Sequence, residues 1–211
     1  MYDEEDKNLG EWHMETNVFE QMAKRYDTEE RIELAKVIVE AVRPKLRKSQ
    51  SKSLIDYGSG TGLVSLELGD LVDSILLVDS SKQMLEVAKA KIEHREMTNL
   101  RVLYSDFTQE TPELKADIIL ISLVLLHIPD TQMILQKLFN ILNPDGKLII
   151  VDFDKNGQVN HPNVHNGFVH EDLKRMLSEV GFKSTDMKTF YHAERIFAKQ
   201  DASIFITSSI K

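Results

Sequence analysis

Cysteine is absent from the 211 residues. That excludes disulfides, thiol nucleophiles and cysteine-based zinc sites. No apolar run approaches the ~20 residues a membrane span needs. The segment Met1 to Asp6 is acidic and lacks the basic and apolar regions of a secretory signal. Together these absences predict a cytoplasmic address with no membrane partner. Positive charge is in deficit: 26 Lys and Arg stand against 34 Asp and Glu, a net charge of −8. Proteins that hold nucleic acid through its phosphates present a basic face, so this balance weighs against a nucleic-acid partner. The local cluster Arg43, Lys45, Arg47, Lys48 and Lys52 reads as a solvated helix end. With no repeat, linker or low-complexity tract, the length suits one domain spanning residues 1–211 with a sizeable core.

Glycine is sparse, nine in all, yet three fall within five residues at Gly58, Gly60 and Gly62. Leu54 and Ile55 before them read as a buried strand. Leu63, Val64, Leu66 and Leu68 after them read as the opening of a helix, with Thr61 placed to cap it. A glycine-rich strand-to-helix turn lets the backbone approach a ligand closely, at the carboxyl end of the first strand of an open α/β sheet. A dinucleotide fingerprint needs a small residue where Leu63 stands, which argues against a dehydrogenase. A phosphate loop needs Gly-Lys-Ser/Thr, and none follows.

The rest of the chain alternates strand and helix. A helix is predicted from Asp27, with Glu30 at capping-box spacing and Pro44 ending it near Arg43. Further strands are predicted at residues 74–79, 100–105, 117–122 and 147–152, with 117–122 nearly all apolar as a central parallel strand is. Helices are predicted from Ser80 to about His94, from Pro129 to Leu142 and from Glu171 to Val180. Two final strands are predicted near Ser184–Tyr191 and Ala202–Ser208. Asp79 ends the second strand about 20 residues after Gly58, the spacing of an acid that binds ribose hydroxyls. Its two oxygens can accept from both vicinal hydroxyls.

The run Asp56-x-Gly58-x-Gly60-x-Gly62 resembles motif I of the class I S-adenosylmethionine-dependent methyltransferases. The strand order, the Asn143-Pro144-Asp145-Gly146 turn and the closing strand pair extend the resemblance over most of the chain. It implies an α/β fold: a Rossmann-like seven-stranded, mostly parallel sheet with helices on both faces and a C-terminal antiparallel strand. It implies S-adenosyl-L-methionine as cofactor and methyl transfer to a small-molecule acceptor. The alternatives are a protein or RNA methyltransferase, or a non-catalytic S-adenosylmethionine-binding protein of the same fold.

Carried over residue by residue, Asp56 meets the methionyl amino group while Gly58, Ser59, Gly60 and Gly62 pack their backbone against the ligand. Asp79 takes the ribose, Ser80 beside it binds the cofactor, Met84, Asp106 and Phe107 frame the adenine, and Ser122 lies near the methionyl portion. The segment Phe19-Glu20-x-x-Ala23-x-x-Tyr26-Asp27 resembles the family's arm over the cofactor, and the acidic stretch 1–27, with Trp12 and Met14, is assigned to it.

His127, His161, His165 and His170 fall where the resemblance places substrate-facing loops. His127 and His165 are the candidates for proton transfer, though His127 reads equally as a buried structural residue, and His170 as the flank of a helix. His161 and His165 have helical metal-ligand spacing, but Pro162 argues against a helix there, and no metal is expected. The polar segment Asn156 to Gly167 is expected to help form the acceptor site.

Overall fold

Strands buried on both faces need mostly apolar side chains, and the inner runs of the chain supply them, while the run at the sheet's edge carries an exposed Arg101 and Tyr104. In the computed structural model, which describes residues 19–110, 112–159 and 164–211, these runs become β1 (Ser53–Tyr57), β2 (Ser74–Asp79), β3 (Leu100–Tyr104), β4 (Ala116–Ser122) and β5 (Leu142–Phe153). Leu54 and Ile55 are buried between Ile75 and Leu76 of β2 on one side and Ile118 and Ile119 of β4 on the other. Two more strands, β6 (Ser184–Phe197) and β7 (Gln200–Ile210), complete a seven-stranded sheet of order β3-β2-β1-β4-β5-β7-β6. β7 runs antiparallel to both of its neighbours, so it alone is reversed in the sheet. The chain travels outward from β1 to β3 and then resumes on the other side of β1 with β4. Such a reversal opens a crevice at the strands' carboxyl ends, where ligands of open α/β sheets bind.

Four α-helices of eleven residues or more cover this sheet among the described residues: α1 (Glu29–Val42), α2 (Lys82–His94), α3 (Thr131–Ile141) and α4 (His170–Val180). α2 packs on β2 and β3, while α3 and α4 pack on each other beside β5 and β6. None of the described helices is long and apolar enough to cross a membrane.

Helix starts differ from the expected caps by a residue or two. Thr28 caps α1, accepting from the Arg31 amide, because the Asp27 carboxylate is drawn to Lys91 and to the Thr61 hydroxyl. Ser81, one residue after the predicted helix start at Ser80, caps α2 through the Met84 amide. Asp130 caps α3 through the Met133 amide, which leaves Pro129 outside the helix.

Two larger differences concern whole elements. The helix expected after the glycine turn is replaced by two short 3-10 turns, Ser65–Glu67 and Gly69–Leu71. Leu68 departs from helical geometry between them (φ −112°, ψ −4°), and Thr61 therefore caps nothing. Gly69, a poor helix former, packs against Met97 and Leu100 there. The last two strands are longer than expected because they form one continuous hairpin through Ala198 and Lys199. Both of these residues have positive φ, the backbone of a tight primed turn. An Ala-Lys pair carries none of the glycine or asparagine that announces such a turn.

Candidate active site

The glycine turn is built by two different constraints. Gly62 has φ +79°, and a Cβ there would collide with Leu66 and lie 3.0 Å from Leu77, so the residue is glycine for the sake of the core. Gly60 also has positive φ, but a Cβ there would meet only Tyr26, 4.0 Å away. Gly60 is thus the point at which bare backbone faces open space. Its amide donates to Asp79 Oδ2 at 2.7 Å, and the Ser81 amide donates to Asp79 Oδ1 at 2.8 Å. Burial pushes the Asp79 carboxyl above the usual range, while these amides pull it back down. Each oxygen keeps a lone pair for a further donor.

A cavity of about 380 Å³ opens here. Its polar wall carries Asp79, Ser80, Ser105 and Asp106, and its apolar wall carries Tyr57, Met84, Val124 and Met133. A second cavity, of about 250 Å³, lies beyond the turn over β1. Asp56, Ser59, Arg31 and Leu34 reach it, with Leu126, Phe153 and Ile196 closing its far side. Gly58, Gly60, Ser122, Leu123, Tyr26 and His127 line both, so these residues form the junction. The tip of β4 is held in an unusual backbone there: Leu123 has φ +55°, sparsely populated by bulky residues and common at functional sites.

Asp56 is buried, its carboxylate accepting from the Ser65 hydroxyl, and burial pushes its pKa up to about 7. Ser59 Oγ is buried without a hydrogen-bond partner among the described residues. Arg31 lies over the Tyr26 ring, 4.3 Å from its centroid, and donates from Nη1 to the Tyr26 carbonyl. No carboxylate pairs with it among the described residues.

The segment from Phe19 to Asp27 lies across the first cavity. Glu20 accepts from the Lys82 and Gln83 amides at the start of α2, at 2.7 and 3.1 Å. Asp27 pairs with Lys91, which also donates to the Thr61 carbonyl. Phe19 and Tyr26 thereby become cavity wall, and Phe19 meets the His127 ring edge-on with centroids 5.4 Å apart. Trp12 and Met14 lie outside the described residues.

Of the residues singled out from the sequence, Asp56, Gly58, Ser59, Gly60, Asp79, Ser80, Met84, Asp106, Ser122 and His127 line one or both cavities. Three do not. Gly62 faces the core, as above. Phe107 is fully buried behind Tyr57, stacked on it with centroids 4.7 Å apart, so it is Tyr57 that presents a ring to the cavity. His165 is turned onto the back of the loop after β4: its amide donates to the Leu126 carbonyl, and its Nε2 lies 2.8 Å from the Ile128 carbonyl oxygen.

Those two bonds fold the described parts of Asn156 to Gly167 onto residues 126–128, and none of them lines either cavity. His170 bonds Asp154 and not the site. His161 lies outside the described residues, and no group of three or more His, Asp or Glu among those described is arranged to hold a metal. Tyr57, Arg31 and Leu123 were not read from the sequence. Strand alternation gave a signal for Tyr57, which follows Asp56 at the strand tip, but Arg31 is one of many helix-surface cations.

A family model described as a methyltransferase domain matches residues 48–202. An uncharacterized methyltransferase of Schizosaccharomyces pombe is 30% identical over 126 residues, covering 56% of this chain and 44% of that protein. The tRNA 5-carboxymethoxyuridine methyltransferase of Escherichia coli is 27% identical over 139 residues, 64% of this chain and 51% of its own. The chain thus spans about half the length of these curated relatives. A solved SAM-dependent methyltransferase from Aquifex aeolicus shares the fold, with a TM-score of 0.67 at 19% identity over 90% of this chain and 97% of that one. The chain belongs to the methyltransferase-domain family, within the class I S-adenosylmethionine-dependent methyltransferases.

Proposed function

We propose that this chain, acting as one domain, transfers a methyl group from S-adenosylmethionine to a small-molecule acceptor. The observation that carries the reading is the meeting of two cavities along the backbone of Gly58 to Gly60. One is carboxylate-rimmed and suits a nucleoside; the other is small and mainly apolar and has a cation at its wall. The open space at Gly60, the Ser59 hydroxyl that has no partner among the described residues, and the Arg31 guanidinium that meets no carboxylate among them fit a ligand bearing a nucleoside and an amino-acid head group.

On this reading Asp79 takes the ribose hydroxyls, and Asp106 and Met84 frame the adenine with Tyr57 beside them. Asp56 and Arg31 take the methionyl amino and carboxylate groups. Ser80 and Ser122 border the same ligand, and residues 19–27 cap it. The bound sulfonium supplies an electrophilic methyl, which a nucleophile takes as the sulfur–methyl bond breaks and sulfur keeps the electron pair. The residues here mainly orient the reactants and exclude water. A base is needed only for an acceptor that is protonated at working pH. His127, at the junction, is placed to be that base. Leu34, Ile38, Leu126, Phe153 and Ile196 leave an apolar berth for the acceptor.

S-adenosylhomocysteine is expected to raise the melting temperature, stabilising by about 2.7 kcal/mol at 100 times its dissociation constant. NADH is expected to leave it unchanged, since Leu63 stands where a dinucleotide needs a small residue. Stabilisation by NADH alone in a thermal-shift assay would overturn the reading. Labelled S-adenosylmethionine incubated with metabolite extract, protein extract and RNA then sorts the acceptor class. Label appearing only in RNA would move the acceptor from the small-molecule class to that of the tRNA-modifying relative.

Asp79→Ala is expected to lower affinity for S-adenosylhomocysteine by roughly 1.5–3 kcal/mol, the worth of hydrogen bonds to a charged group. It also removes the acceptor of the Gly60 amide, so the far-ultraviolet circular dichroism of the variant serves as the control for folding. Equal calorimetric affinity in variant and wild type would remove Asp79 from the ribose.

A further inference from the structure

The hairpin of β6 and β7 reaches the second cavity through Ile196, and the strand pairing around that residue is irregular. Ala193 pairs with Ala202 and Phe197 with Gln200, so Glu194, Arg195 and Ile196 stand opposite Asp201 alone. Bulges of this kind bend a strand and re-aim its side chains, and they recur beside active sites. Regular alternation would turn Ile196 and Phe197 to opposite faces of the sheet. Here both turn inward. Phe197 is buried and stacks on Phe153 of β5, with centroids 4.2 Å apart and planes 9° apart. Ile196 lines the cavity that Phe153 also lines. Arg195 absorbs the change of direction at φ +58°, a backbone that long side chains seldom adopt.

Two bonds hold the bulge in place. The Arg195 amide donates to Asp201 Oδ1 at 3.0 Å, and the Asn156 side chain, from the segment after β5, donates to the Asp201 carbonyl at 2.9 Å. Of the residues opposite Asp201, Glu194 and Arg195 are exposed and only Ile196 is drawn inward. The bulge thus serves to set one isoleucine into the cavity wall.

We infer that Ile196, presented by this bulge, is a specificity-determining residue: it ends the apolar berth and sets the length of the acceptor's apolar body. This deepens the methyltransferase reading and rests on it. The other walls of the berth, Leu34, Ile38, Leu126 and Phe153, carry no charge. They fit a slender hydrocarbon portion whose nucleophilic atom lies toward Ser122 and His127 at the junction. Discrimination is then by size, and one methylene too many costs an apolar pocket about tenfold.

The test uses para-alkylphenols of increasing chain length, each titrated by calorimetry into the chain saturated with S-adenosylhomocysteine. Wild type is expected to bind one tail length most tightly and to lose about tenfold in affinity for the next longer homologue. Ile196→Ala is expected to move that maximum to a longer tail, and Ile196→Phe to a shorter one. Asp201→Ala removes the acceptor of the Arg195 amide and is expected to flatten the dependence on length, because Ile196 is no longer held in one place. The Asp201 side chain is exposed, so this variant keeps the proposal testable if an Ile196 variant fails to fold. The same dependence on length in wild type and in the folded variants would overturn it, and so would the absence of phenol binding to the wild-type complex. Failure of the wild-type chain to bind S-adenosylhomocysteine would instead strike the methyltransferase reading itself, and the saturation step of each titration separates the two failures.

Discussion

Raising the pH from about 4.5 to 7.5 is expected to lower the stability of this protein rather than raise it. Asp56 and Asp152 are both buried, and burial pushes each up to about 7 from an unfolded value of 3.8. Between those values the folded chain holds protons that the unfolded chain releases. Stability therefore falls as pH rises through this window and levels off above about 7. A separation of about three pKa units corresponds to an upper bound on the order of 4 kcal/mol per group. The carboxylates that act in the other direction do so elsewhere on the scale. Asp117, held low by the Ser53 amide, and Asp186, held low by Lys45, lose their contribution only as pH falls below the ordinary carboxylate range. Urea unfolding at four pH values across the window measures the slope, and Asp56→Asn should roughly halve it. A wild-type midpoint that is flat or rises over this range would show that the two carboxyls are ionised in the folded state.

Gly62→Ala is expected to destabilise the fold strongly, and Gly60→Ala to cost less, about 1–2 kcal/mol, while damaging ligand binding. At Gly62 the new methyl meets Leu66 and Leu77, both buried, at a φ that L residues avoid. Overpacking of about 1–3 kcal/mol adds to about 1–2 kcal/mol for the left-handed backbone, so a loss of roughly 2–5 kcal/mol follows. At Gly60 only the backbone term applies, since nothing but Tyr26 lies within 4 Å of the added atom. The methyl group then projects into the space where a ligand would approach. Chemical unfolding and S-adenosylhomocysteine calorimetry on both variants separate the effects. Equal stability losses would mean that both glycines serve the core alone.

This pair also marks what could be read without coordinates. Three glycines in five residues announced a turn, yet nothing in their spacing said that Gly62 serves packing and Gly60 faces the cavity. That depends on Leu66 and Tyr26, which come from either side of the motif. The inner strands of the sheet were legible because burial on both faces forces a nearly continuous apolar run, a local property. Asp79 was legible for a similar reason: a strand end and a count of residues place it. Elements governed by competing partners were not. Leu63 to Leu68 has a helical pattern and forms 3-10 turns, and Ala198-Lys199 turns a hairpin with no turn residue in it.

By itself, then, the sequence determined the strand–helix alternation, the position of the glycine turn and the acids at three strand tips. These follow from periodicity and from backbone rules that act over a few residues. The tertiary structure alone decided that Tyr57 and not Phe107 faces the cavity, that His165 grips the turn after β4 from behind, and that the buried Asp152 accepts from the Leu126 amide of that turn. Each is a choice of which neighbour a side chain meets. Such choices are made by strand order and by the cost of burying a polar group without a partner, which act between residues far apart in the chain.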